Sequence, residues 1–100
     1  NSIRAWRGIG WCSFIGLKYE QAIKYYEKII DQKPLAIDFM NAGHVAWVMG
    51  DIQKAAVFYG KAITISDSRE QFLEMFHKDE GPLLKQGIRE EDIPLMLDLL

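Results

Sequence analysis

Trp6-x-x-Ile9-Gly10, then Ala22-x-x-x-Tyr26, then Pro34, is the stretch that decides the fold of this 100-residue chain. Its framework returns 33 residues later as Phe39-x-x-Ala42-Gly43 and Ala55-x-x-x-Tyr59. A repeat of this length signals one supersecondary unit used more than once, each copy burying its apolar face against the next. Within each copy the apolar residues recur at three- and four-residue spacing, the period of a helix. Ile3, Trp6, Ile9, Gly10, Ser13 and Phe14 share one side of a predicted helix over 2–15. Tyr19, Ala22, Ile23, Tyr26, Ile29 and Ile30 form the apolar stripe of a second over 18–32, with charged residues opposite. Helices over 35–49 and 52–65 follow, and Ile52, Ala55, Ala56, Tyr59, Ala62 and Ile63 repeat the second stripe position for position.

The punctuation agrees with the periodicity. Ser2 and Asp51 have side chains suited to cap helix starts. Gly16 is placed to end the first helix, and Pro34 to open the third, where its missing N–H does no harm. Gly10 recurs as Gly43, which predicts a close approach of a neighbouring helix at both positions. Gly8 is expected to open a depression on the opposite face. After a loop at Ser66-Asp67-Ser68, a fifth helix is predicted over 69–80, with Phe72 and Met75 still in register. The register then fails, because Phe76 stands where glycine should. Gly81-Pro82 interrupts, and a sixth helix starts near Arg89 to Glu91. Ile93, Met96, Leu97 and Leu100 make one stripe on it, while Leu95 and Leu99 add a second that needs a second neighbour. Short links favour antiparallel neighbours. The expectation is an all-α fold of about six helices in antiparallel pairs.

Half the residues are apolar and a quarter charged, an ordinary globular balance. The formal net charge of −2 excludes the clustered basic face of a nucleic-acid surface. No run reaches the roughly 18 apolar residues of a membrane span, and no signal sequence is visible. The compartment stays open, with the cytoplasm favoured. Starting at Asn1 and ending in an apolar run, the chain reads as a segment of a longer protein. A single cysteine, Cys12, excludes an internal disulfide and is expected to be a small core residue. His44 and His77 lie 33 residues apart, a spacing that could bring them together across adjacent helices at a metal. Two histidines alone do not make a site, and the reading is two partly exposed polar residues with no metal and no cofactor. Glu90, Glu91 and Asp92 read as charge complementing a helix dipole. With no nucleophile–base motif and no phosphate-binding loop, no catalytic residues are assigned and the chain is not read as an enzyme. Arg4 and Arg7 sit early in a helix, where the dipole disfavours cations. An acidic ligand or neighbouring domain would explain that placement, as would a solvated surface pair.

The spaced residues resemble the tetratricopeptide pattern of helix–turn–helix units about 34 residues long. Trp6, Ile9, Gly10, Ala22, Tyr26 and Pro34 match in one copy. Phe39, Ala42, Gly43, Ala55 and Tyr59 match in the next. Ser13 and Ala46 replace the family's aromatic residue. The resemblance covers about two-thirds of the chain and divides one domain, 1–100, into repeats over 3–35 and 36–68 and a degenerate third repeat or cap over 69–100. It implies an α-solenoid, a right-handed superhelix whose first helices line a concave groove for a peptide or helix of a protein partner. Carried onto this chain, the groove candidates are Arg4, Arg7, Gly8, Trp11 and Ile15, then Ile37, Met40, Asn41, His44, Trp47 and Val48. Glu70, Leu73, Glu74 and His77 join them from the fifth helix. Trp11, Met40 and Trp47 read equally well as an aromatic groove or as core. One subgroup of the family clamps a C-terminal carboxylate. Here Trp11 stands in place of the clamp's asparagine, and Glu70 and Glu74 stand where bases are needed, so the pattern argues against that ligand. The alternative reading is a structural end piece of a longer array that stacks or self-associates, for which the double stripe near the C-terminus speaks.

Overall fold

The computed structural model describes residues 2–100. Among them are seven helices and no strand: α1 (Ile3–Ile15), α2 (Tyr19–Ile30), α3 (Ala36–Val48), α4 (Ile52–Ile65), α5 (Arg69–Lys78), α6 (Glu80–Lys85) and α7 (Asp92–Asp98). α1 packs most extensively on α2, and α3 on α4, with α2 against α3 joining the two pairs. This serial packing of neighbours is that of a helical repeat solenoid.

Side chains fix the helix starts. Ser2, Asp51 and Ser68 each accept a backbone N–H three residues on, from Ala5, Lys54 and Gln71, all at 3.1 Å. The core follows the predicted stripes. Ala22 and Ala55 are fully buried, as are Tyr26, Ile29, Tyr59 and Ala62. The repeated lysines have a shared role too. The Lys28 ammonium lies 4.6 Å from the centre of the Trp6 ring and that of Lys61 5.9 Å from the Phe39 ring, one cation–π contact per copy.

The repeated glycines mark close approaches of unequal severity. A Cβ at Gly43 would lie 2.6 Å from Tyr59 Cε1, against 3.0 Å from the Tyr26 ring at Gly10. Tyr59 is walled in by His44, Trp47, Phe72 and Phe76. Gly43→Ala is therefore expected to destabilise by about 1–2 kcal/mol, the overpacking cost outweighing the gain in helix propensity. Gly10→Ala is expected to stay within about 1 kcal/mol of the parent, because the Tyr26 ring needs to move only slightly. Urea melts of the two variants measure the difference; equal midpoints would contradict this account of the close approaches.

Gly16 ends α1 as expected, with a φ of −82°. The left-handed turn position falls to Leu17 at φ 65°, where the second copy has Gly50 at φ 90°. Leu17 is exposed, so Leu17→Gly is expected to stabilise by about 0.5–1 kcal/mol once glycine's larger unfolded-state entropy is subtracted. A lower melting temperature would contradict that. Cys12 is exposed rather than core. The last third contains three short helices, the turn foreseen at Leu83 to Gln86 being a helix that starts earlier, at Glu80. With Phe76 at the glycine position, a following helix cannot approach α5 at glycine distance. The chain turns at Asp79 and enters α6 one residue ahead of Gly81-Pro82.

α6 then folds back over the first pair. The Gln86 side chain donates to the Phe14 carbonyl at 3.2 Å and accepts from the Tyr19 hydroxyl. Ile15 and Leu17 face Pro82 and Lys85 across a depression of about 420 Å³. α6 and its cap residue Gln86 thus lie beside the C-terminal end of α1. Phe72, Phe76, Leu83, Ile93 and Met96 complete the core from this third.

Candidate functional site

The groove candidates separate into exposed, half-buried and buried sets. Met40, His44 and Trp47 are core side chains, sealed by the packing of α3 against α4 and α5. Of the two readings of Met40 and Trp47 the burial favours core, and it removes His44 from the surface; Trp47 keeps an edge on the depression beside α7. Arg4, Ile15, Ile37, Glu70, Glu74 and His77 are exposed, and Trp11, Asn41, Val48 and Leu73 are half-buried. Helix α3 is apolar on nearly every side, so its periodicity carries little information about which side faces outward.

Arg7 is engaged within the chain. Its Nε donates to Asp38 Oδ1 at 2.7 Å and its Nη2 to Asp38 Oδ2 at 2.8 Å, a bidentate pair joining α1 to α3. Asp38 Oδ2 also accepts the Leu35 N–H at 2.8 Å, the first free donor of α3. Asp38 is buried, with 1% of its side chain accessible, while Arg7 keeps 31%. The hydrogen bond that Arg7 donates to Asp38 raises the Arg7 pKa further above its usual range, burial opposing. The acid that explains a cation early in α1 is thus neither a ligand nor another domain. For Arg7 it is Asp38, while Arg4 is exposed, as a solvated residue would be.

His44 sits at the centre of a second network. Its Nδ1 is 2.7 Å from the Tyr59 hydroxyl and its Nε2 3.0 Å from Asp79 Oδ2. A carboxylate can only accept, so Nε2 carries the proton and Nδ1 accepts from Tyr59. Burial raises the Tyr59 pKa well above its usual value, which keeps the hydroxyl available as that donor. Burial also lowers the His44 pKa, outweighing the opposing hydrogen bond and charge of Asp79. In the unfolded chain His44 titrates near 6.5. Between the two values the unfolded state binds more protons, so stability rises with pH there and falls as pH drops below 6.5. Ring-proton NMR should give a His44 pKa below 6.5, with the urea midpoint falling between pH 7 and pH 5; a value above 6.5 would contradict this network. His44 and His77, one repeat apart, each have their own acid, Asp79 for His44 and Glu80 for His77. His44 is fully buried, not partly exposed.

Where the half-buried candidates meet, Trp11, Ile37, Asn41 and Asp79 line an open pocket of about 210 Å³. Trp11 comes from α1 and is tilted against Phe14 at 5.4 Å between ring centres. Ile37 and Asn41 come from α3, and Asp79 from the α5–α6 junction. Asp79 is the member that sequence reasoning missed. It had one available signal: it follows Ser13 and Ala46 at the same 33-residue spacing, an acid at a position that is small and buried in the other copies. Asn41 also borders the Tyr26 hydroxyl, whose pKa burial raises and Asn41 partly restores.

Two further surfaces lie outside this pocket. Ala5, Gly8, Ile9, Cys12, Ser13 and Gly16 line a depression of about 520 Å³ on α1; Gly8 does border a depression, but on the side of Ile9 and Ser13 rather than opposite them. Leu95 and Leu99, the second stripe of α7, stay exposed beside Trp47 and Ile52 around a depression of about 470 Å³. Among the described residues, no group of three His, Cys, Asp or Glu could hold a metal ion, and no helix is long and apolar enough to cross a membrane.

Residues 39–69 match a family model described as tetratricopeptide repeat. No curated protein and no solved structure matches the chain.

Proposed function

The chain contains a tetratricopeptide repeat, the unit of protein-interaction scaffolds, and from that premise we propose that it binds an extended peptide or helix of a protein partner on its concave side, without catalysis. The observation that carries this reading is the pocket formed by Trp11, Ile37, Asn41 and Asp79. Three separate segments converge on it, and it pairs an accessible indole with polar groups, the composition of a binding hot spot. Arg4 and His77, both exposed, flank it in sequence on α1 and α5 and extend the proposed surface. Selection from a random peptide library on the immobilised chain tests the proposal. Enriched peptides should lose affinity at least about tenfold with Trp11→Ala, equivalent to about 1.4 kcal/mol, and keep it with Tyr25→Ala. No enrichment, or equal loss with both substitutions, would refute it.

A second reading has its own support. Position for position, Ser13, Gly16, Lys18 and Gln21 at the α1 depression correspond to Ala46, Met49, Asp51 and Lys54, which border Ile23 of the preceding helix in the second copy. This side of α1 is thus shaped for another helix, as stacking or self-association requires. Sedimentation of the parent and of Gly8→Arg at several concentrations separates the readings: concentration-dependent growth abolished by the substitution supports it, and a monomer throughout removes self-association.

A further inference from the structure

We infer that the pocket between Trp11 and Asp79 selects a lysine or arginine side chain of the bound segment, so that the groove recognises a basic rather than an acidic peptide. This rests on the concave-side reading and adds the chemistry of the partner to it.

The argument is one of charge accounting. Arg7, the cation nearest in sequence to Trp11, is neutralised by Asp38 through two hydrogen bonds and offers nothing to an anion. Asp79 is different. Its one ion-pair partner among the described residues is His44, and that ring is fully buried with its pKa held down by burial. A neutral His44 donates one hydrogen bond through Nε2 and leaves the carboxylate its full negative charge. Asp79 Oδ1 takes no part in that bond, and 21% of the side chain remains accessible. An uncompensated carboxylate in a partly desolvated pocket raises the local preference for a cation well above that of a free surface acid. The other walls fit the same ligand. An ammonium or guanidinium is attracted to an indole face, and the stem of a long basic side chain finds apolar contact at Ile37. Asn41 completes the wall between them. The exposed acids Glu70 and Glu74 precede Asp79 on α5 and add to the negative potential that steers a basic segment inward. An anionic ligand is repelled by Asp79 and gains nothing from the indole face.

Three capped peptides test this by NMR titration of the intact chain, read at the Trp11 indole N–H and the Asn41 side-chain amide. One is an alanine peptide carrying two lysines, one carries two glutamates, and one carries two leucines. The lysine peptide should shift both signals saturably, and the glutamate peptide should not. Asp79→Asn retains an oxygen for His44 Nε2–H, so the fold persists, and it should weaken the lysine peptide about tenfold. Trp11→Ala should weaken it as well, and Trp11→Phe less so. Raising the salt concentration should reduce binding, as for any steered cation. If the leucine or glutamate peptide shifts the same signals equally, the basic preference is wrong while the binding surface stands. If no peptide shifts them, both fall. Lysine-peptide binding unaffected by Asp79→Asn would also overturn the inference.

Discussion

Tyr59→Ala is expected to lose about 3–5 kcal/mol of stability, the range for removing a fully buried aromatic ring, against a total of about 5–15 kcal/mol for a domain of this kind. Tyr59 is the hub of the core. Its ring lies 5.5 Å from His44, 6.3 Å from Trp47, 6.0 Å from Phe72 and 5.6 Å from Phe76, centre to centre. It therefore ties α4 to both α3 and α5. Tyr59→Phe isolates the hydroxyl and should cost about 1–3 kcal/mol, because His44 Nδ1 is left buried without a donor. The counterpart Tyr26→Phe should be nearly neutral, since the Tyr26 hydroxyl is buried without a hydrogen bond of normal geometry. Urea denaturation of the three variants checks the order. A Tyr59→Phe loss no greater than that of Tyr26→Phe would remove the case for the His44 network.

Arg7→Ala is expected to cost about 3 kcal/mol, at the lower end of the range for breaking a buried ion pair. The substitution strands the Asp38 carboxylate, which is buried and keeps only the Leu35 N–H as partner. Asp38→Ala should cost less, about 2 kcal/mol, because the partly accessible Arg7 can return to water when its partner is gone. The asymmetry separates two roles for Arg7. A residue serving mainly to hold an acidic ligand would be replaced with little loss of stability in the free protein. Melts of the two single variants and the double variant give both the order and the coupling. An unchanged melting temperature for Arg7→Ala would overturn the assignment of Asp38 as its partner.

The scaffold was legible in the sequence because a solenoid repeats its packing and therefore its residues. Trp6, Gly10, Ala22 and Tyr26 are explained by the same contacts as Phe39, Gly43, Ala55 and Tyr59, and two instances of one pattern are hard to misread. The helix limits of α4 were recovered as predicted, since Asp51 caps one end. The site was less legible. Met40, His44 and Trp47 stand off the consensus stripe, yet α3 has neighbours on nearly all sides and buries them. Periodicity identifies a buried face only where another face is wet. Arg7 and Asp38 sit 31 residues apart, outside the 33-residue register, so nothing in the repeat pointed from one to the other. Asp79 lies where the repeat breaks down, and its role follows from a turn that Phe76 forces.

The central claim is that the Trp11–Asn41–Asp79 side, and not the α1 depression or the exposed stripe of α7, receives the partner. Backbone amide NMR mapping with a library-selected peptide tests it most directly. The account predicts perturbations concentrated at Arg7 to Trp11, Ile37 to Asn41 and around Asp79. Perturbations confined to Ala5, Cys12 and Gly16, or to Leu95 and Leu99, would contradict it.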